Sequence, residues 1–291
     1  MARKTIEQLN LLDNFLFGKM MSHPKIGKRF SRILVKILLG KDFKNLIVVP
    51  QKVYYGADTF FHGARLDVYI EQDDVTEVNA ENTVIDIEPE LKSDKESKAS
   101  IPKRVRFYHS KIDQGCLDSS DSYNELKCVY VIMIMPFDPF NRNRMIYTIK
   151  NTCIEDPEME YDDGARTLFL YTHGEKTEGV SEAIQQLLKF MEQTQRENAV
   201  NEDLEIIQNM VEEIKNDQEV SIEYMKVHEH EEMLQRIAHN EGYSEGYREG
   251  ESEGENNLAQ TIVKLREGKT TEELLSEGFS METISLAMSL K

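Results

Sequence analysis

Two short segments place acids where a strand would bury them: Arg65-Leu66-Asp67-Val68-Tyr69-Ile70 and Thr83-Val84-Ile85-Asp86-Ile87-Glu88-Pro89-Glu90. Side chains alternate between the two faces of a strand, so Asp86, Glu88 and Glu90 stand on one face. Carboxylates clustered in an apolar sheet are costly or take up protons unless a cation satisfies them. A divalent ion is the simplest such partner. Mg²⁺ takes one or two carboxylates and fills its other positions with water and phosphate oxygens.

The elements that must position these acids follow from periodicity. Residues 5–16 have the period of an amphipathic helix, with Leu9, Leu12, Phe15 and Leu16 on one face and Asp13 on or near the opposite flank. A second helix is expected over 24–39, with Pro24 in its early turn and Gly40 as its stop. Strands are expected at 52–55, 65–71 and 83–88, and the polar, acidic link 72–82 suits a hairpin loop. A helix follows at 101–113. The run 128–135 is continuously apolar and bounded by turn signals, the mark of a central buried strand. Two further strands are expected at 145–149 and 167–171. The succession of helix, strands, helix and strand predicts an α/β fold in which helices flank a mixed sheet.

Composition sets the outer limits. At 291 residues and 40% hydrophobic, the chain can support one sizeable core and an appendage. Its formal charge of -18 argues against nucleic acid only as an average. Residues 1–50 hold ten Lys and Arg against three Asp and Glu, whereas residues 181–291 hold ten against twenty-five. Three cysteines without CxxC spacing, Cys116, Cys128 and Cys153, fit reduced thiols in a cytoplasm and no structural zinc. Cys128 reads as core. No stretch approaches the roughly 20 apolar residues of a membrane span, so the expectation is a soluble, cytoplasmic protein with no membrane partner.

An ordered series of motifs then carries a resemblance. Asp13-Asn14-Phe15-Leu16-Phe17, Gly63-Ala64-Arg65-Leu66-Asp67-Val68-Tyr69, Ile85-Asp86-Ile87-Glu88-Pro89, Pro102-Lys103-Arg104-Val105-Arg106-Phe107-Tyr108, Leu126-Lys127-Cys128-Val129-Tyr130-Val131-Ile132 and Phe137-Asp138-Pro139-Phe140 resemble the PD-(D/E)XK nuclease family transposases, also called recombination-promoting nucleases. The likeness covers residues 5–195. It implies a restriction-endonuclease-like core in which adjacent strands present an Asp and a Glu, with a Lys or Gln two residues beyond the Glu. By position, the resemblance makes Asp67 the first metal ligand and Glu88 the second. Glu90 falls at the third position, where this chain departs from the pattern.

Phosphodiester hydrolysis needs a metal to stabilise charge on the phosphoryl group and to supply hydroxide near neutral pH. A lysine at the third position would orient the water. Glu90 cannot do so with a positive charge; it is open to service as a general base or as a ligand to a second metal. Pro89 removes a ladder donor and is expected to bend the strand. Lys92, two residues further on the same nominal face, is the candidate substitute cation. The ordinary alternative for Glu88, Glu90 and Lys92 is a solvated strand end. On the helix at 101–113, Lys103, Arg106 and Ser110 form one stripe and Arg104, Tyr108 and Lys111 another, able to meet phosphates without reading sequence. Arg106 and Tyr108 are favoured for that role. Lys103, Arg104 and Lys111 are as readily explained by pairing with nearby acids, and His109 by surface placement or packing. Asp13 is a further candidate to approach the metal. Lys25, Lys28, Arg29, Arg32 and Lys36 make a basic helix stripe that suits either a nucleic-acid backbone or plain solvation.

The composition shifts near 195. Residues 196–240 read as an acidic helical extension with Leu204, Ile207, Met210, Val211 and Ile214 as its apolar seam. Residues 241–260 carry Glu-Gly pairs every fourth position. Glycine costs about 1 kcal/mol relative to alanine inside a helix, so a flexible acidic linker is preferred there over a helix. Residues 261–291 read as a small helical pair, suited to dimer contacts or to masking a basic groove. The resemblance thus leads to a metal-dependent DNA endonuclease with Mg²⁺, Mn²⁺ or Ca²⁺ as cofactor, DNA as partner and a homodimeric assembly. The alternatives are a nuclease-fold protein without activity that serves in DNA binding or assembly, and an interaction protein built on the acidic tail.

Overall fold

The computed structural model describes residues 4–43, 46–54, 64–72 and 83–290. The chain divides into two compact units, Met1–Tyr224 and Met225–Lys291. The first is built on a six-stranded mixed sheet ordered β1-β2-β3-β4-β6-β5. Its strands are β1 (Leu46–Tyr54), β2 (Ala64–Gln72), β3 (Thr83–Pro89), β4 (Cys128–Met135), β5 (Ile146–Ile149) and β6 (Ala165–Tyr171). β1, β2 and β3 run antiparallel in turn, β3, β4 and β6 run parallel, and β5 closes the far edge antiparallel to β6.

The reasons are local. β4 is buried on both faces, which its unbroken apolar run Val131-Ile132-Met133-Ile134-Met135 permits. β1 carries Pro50 and lies at an edge, where a missing ladder donor is tolerated. Helices α1 (Asn14–Ser22), α2 (Gly27–Leu39), α4 (Glu182–Glu192) and α5 (Glu202–Lys215) cover the face that presents Ile70, Ile85, Ile87, Ile132, Ile134 and Leu170. Helix α3 (Lys95–Gln114) packs Ile101, Val105 and Ile112 on the other face, against Tyr69, Val84, Val131 and Met133. Asp94 caps α3 ahead of the expected start at 101, accepting the Ser97 N–H at 2.9 Å.

Residues 5–16 do not form the expected helix. A single 3-10 turn at Ile6–Gln8 is followed by irregular chain and then by α1. The backbone donors of this stretch find partners elsewhere: Leu11 N–H reaches Thr194 Oγ1 at 2.8 Å, and Leu12 N–H reaches the Met191 carbonyl at 3.2 Å, both at the end of α4. The leucines are buried all the same. The seam expected over 196–240 is α5, whose Leu204, Ile207, Met210, Val211 and Ile214 all sit in the main core. The boundary expected at 195 therefore falls inside the first unit.

Helix α6 (Gln218–Arg266) is continuous through the Glu-Gly repeat, which corrects the linker reading of 241–260. Val220 and Tyr224 bury its first turns and Leu265 its last, so the glycines sit where helix need only propagate. In the second unit, α7 (Thr271–Ser276) and α8 (Met281–Ser289) pack Leu274, Ile284 and Ala287 with Leu265. Thr270 and Ser280 cap them, Thr270 in a reciprocal box with Glu273. No helix among the described residues is long and apolar enough to cross a membrane. All three cysteines, Cys128 included, are half-buried thiols that form no disulfide.

The turn after β4 is held by one carboxylate. Asp138 accepts the N–H groups of Phe140, Arg142 and Asn143 at 2.8, 2.7 and 2.6 Å and the Tyr147 hydroxyl at 2.8 Å. Burial pushes its pKa up, but the Phe140 and Asn143 amides, the Tyr147 hydroxyl and the Arg142 amide outweigh that and leave it below the ordinary value. A depressed folded pKa contributes stability that is present above the unfolded pKa of about 3.9 and is lost as pH falls through the folded value. Asp138→Ala is accordingly expected to lose about 2–3 kcal/mol in urea unfolding at pH 7. The gap from the wild type should narrow as pH falls below about 4. An unchanged urea midpoint at pH 7 would refute this role.

Candidate active site

The site is built around β3. Asp86 and Glu88 are 0% and 6% exposed. Two residues apart, they share the face on which α3 packs, since their parallel partners on β4 are Val131 and Met133 of the α3-side core. On the other side Tyr69 of β2 stands opposite Asp86. Asp67 lies two residues before Tyr69 and Glu88 two residues after Asp86, so this antiparallel register, carried on, leads to the Asp67 and Glu88 positions. The backbone of Asp67 belongs to β2, and its side chain lies outside the described residues.

Pro89 does not bend β3 away from its neighbour. Glu90 N–H donates to the Ile134 carbonyl at 2.9 Å, so the ladder with β4 runs past the proline. Successive N–H groups of a strand point to opposite sides, and the donor that Pro89 lacks would have faced β2. The Glu90 carboxylate is occupied on both oxygens: Oε1 accepts the Lys92 backbone N–H at 2.8 Å, and Oε2 accepts from Nη2 of Arg104. The Lys92 side chain is exposed, so that residue meets Glu90 through its amide and not through its ammonium. The cation beside position 90 comes from α3.

Helical geometry explains which α3 residues take part. Arg104 and Tyr108, one turn apart, face the sheet, whereas Lys103 and Arg106 are exposed. Arg104, and not Arg106, is therefore the α3 cation that pairs with Glu90. Burial opposes the Arg104 charge, but the hydrogen bond and charge of Glu90 prevail, with Tyr108 and Glu88 adding, and the guanidinium pKa is raised. Arg104 Nε is buried with no hydrogen-bond acceptor. His109 is a packing histidine whose Nε2 lies 3.0 Å from Thr167 Oγ1; burial lowers its pKa, only partly opposed by Asp163.

Other candidates lie elsewhere. Asp13 accepts the Asn10 N–H at 2.7 Å and pairs with Lys4 at 3.2 Å, at the start of a helix on the opposite face of the sheet. The basic stripe of α2 shares that layer, and two of its cations are paired: Arg32 binds Asp42 through two bonds of 2.8 and 2.7 Å, and Lys36 binds Asp203 at 2.9 Å. At the far end of the α3 face, Glu71 is held by Lys127 and by the Tyr69 hydroxyl, which makes it a structural acid.

Asp86 is the residue that sequence reasoning passed over as a site member, although its place two residues before Glu88 was the available signal. Among the described residues no three His, Cys, Asp or Glu side chains form a group that could hold a metal. Asp86 and Glu88, on one face of β3, carry hard carboxylate oxygens of the kind Mg²⁺, Mn²⁺ and Ca²⁺ prefer. The chain matches no protein-family model, no curated protein and no solved structure.

Proposed function

We propose that this chain is a metal-dependent DNA endonuclease of the PD-(D/E)XK kind, with a restriction-endonuclease-like core. The observation that carries the proposal is the burial of two carboxylates, Asp86 and Glu88, on a central strand with an arginine beside them. Carboxylate oxygens on such a strand are the hard donors that a divalent ion prefers. Glu88, with Asp67 from the neighbouring strand, would hold the divalent ion. When bound, that ion supplies charge stabilisation at the phosphoryl group and a hydroxide at neutral pH. Tyr108 would offer a hydroxyl from the sheet side of α3, and Lys103 and Arg106, both exposed, would meet the DNA backbone outside the site.

A second reading is a nuclease-fold protein that binds DNA or assembles with a second copy without turnover. The capture of Glu90 by Arg104 and the Lys92 amide favours it, because neither a free base nor a lysine stands at the third position. Plasmid cleavage separates the two. Purified protein should nick supercoiled DNA with Mg²⁺ or Mn²⁺ and stop when chelator is added. No cutting with any divalent ion would leave the second reading.

A further inference from the structure

We infer that Arg104, anchored by Glu90, supplies the site's missing positive charge and receives a phosphate oxygen of the nucleic-acid backbone at the Glu88 end of β3. The inference rests on the reading of this face as a phosphodiester site, and it assigns Glu90 a positioning role in place of base or metal ligand.

Three observations support it. First, both Glu90 oxygens are engaged, one by the Lys92 amide at 2.8 Å and the other by Arg104, so this carboxylate is fixed in the fold. Its N–H continues the ladder to Ile134, which makes the anchor as rigid as the sheet itself. Second, the guanidinium is not used up by that anchor. It carries five N–H donors in a planar fork. Glu90 takes Nη2, Nε is buried without an acceptor, and the side chain as a whole is 31% exposed, so the guanidinium keeps donors that Glu90 does not use. A buried N–H lacking a partner costs about 1–3 kcal/mol, a cost removed when an anion or a water held by it arrives. Third, the neighbourhood selects the sign of the ligand. Arg104 would repel a metal ion, whereas Asp86 and Glu88 would repel a bare phosphate. The pair of features suits an anion that comes with a divalent cation, as a DNA phosphate at a metal site does.

Arginine and lysine differ in the property at issue. A lysine at 104 keeps the charge and can keep the Glu90 ion pair, but it offers a point charge and no fork. Arg104→Lys is therefore the variant in which a structural role survives and phosphate recognition does not.

The test measures the affinity of full-length protein for a short fluorescently labelled DNA duplex in Ca²⁺ by anisotropy, beside thermal unfolding of each variant and plasmid cleavage in Mg²⁺. Arg104→Lys should melt with the wild type and bind the duplex about 10-fold more weakly, the loss of one charge-assisted hydrogen bond. Glu90→Gln, which leaves the arginine in place but loosens it, should weaken binding in the same direction by a smaller factor. In the Arg104→Lys background, Glu90→Gln should add little, because the two act as one unit. If Arg104→Lys melts early, Glu90→Gln alone carries the test. Equal affinity in wild type and Arg104→Lys, or a wild type that does not bind the duplex, overturns the inference. Arg104-dependent binding without cleavage in any metal supports it and refutes the nuclease reading instead.

Discussion

Replacing Glu88 by glutamine is expected to lower metal-dependent plasmid cleavage by about a thousandfold or more. Loss of one preorganised charge-stabilising group at a reaction centre costs on the order of 100–1,000-fold, and loss of a metal ligand adds the ion's contribution to that. Glutamine has the shape of glutamate, so the packing of β3 against β4 should survive. In the absence of metal the neutral amide relieves repulsion from Asp86 on the same face of β3 and gives up attraction to Arg104, so the urea midpoint should stay close to that of the wild type. Asp67→Asn should behave alike. Cleavage at the wild-type rate in Glu88→Gln would remove that residue from the mechanism, and a collapse of the urea midpoint would make it a structural acid.

The second large effect lies in the half of the sheet that backs the site. Gly174→Ala should destabilise the first unit by about 3 kcal/mol or more. A Cβ built at Gly174 would stand 2.3 Å from Met145 Cα and 2.4 Å from Met145 N. The obstacle is backbone, which no change of rotamer relieves. It is also backbone in use: Met145 N–H bonds the Lys176 carbonyl at 3.0 Å, and the Met145 carbonyl accepts from Tyr171 N–H at 2.9 Å. Moving it disturbs the pairing of β5 with β6, and β6 is the parallel neighbour of β4, where Met133 faces Glu88. Urea unfolding of the purified variant checks the prediction; a midpoint equal to that of the wild type would refute it.

Much of this architecture is legible in the sequence, because strands buried on both faces and helices with one apolar stripe write strong patterns. The run 128–135 and the alternation around Asp86 and Glu88 mark β4 and β3 almost to the residue. Residues 5–16 mislead because burial there does not require a helix: Leu9, Leu11 and Leu12 reach the core from a turn whose N–H groups bond to α4, a partner nearly the whole unit away in sequence. The Glu-Gly repeat misleads in the opposite direction. Local propensity disfavours helix at each glycine, yet packing at both ends of α6 carries the helix across.

The site was legible in its acids and not in its cation. Lys92 has the spacing of a substitute, but β3 ends at Pro89, and three residues further on alternation no longer governs where that side chain points. Arg104 comes from a different element, fourteen residues on. Only the packing of α3 on the sheet decides that it, and not Arg106, turns toward Glu90. Helical spacing identifies two stripes on α3 but cannot say which of them faces inward.

A metal-dependent nuclease of this kind requires a divalent ion on the α3 face of β3, held by Glu88. Calorimetric titration of Mn²⁺ into metal-free protein tests it without relying on turnover. The wild type should bind one Mn²⁺ per chain, and Glu88→Gln should weaken that binding by at least about 10-fold. Mn²⁺ binding of equal stoichiometry and affinity in Glu88→Gln, or none in the wild type, would rule out a metal site at Glu88.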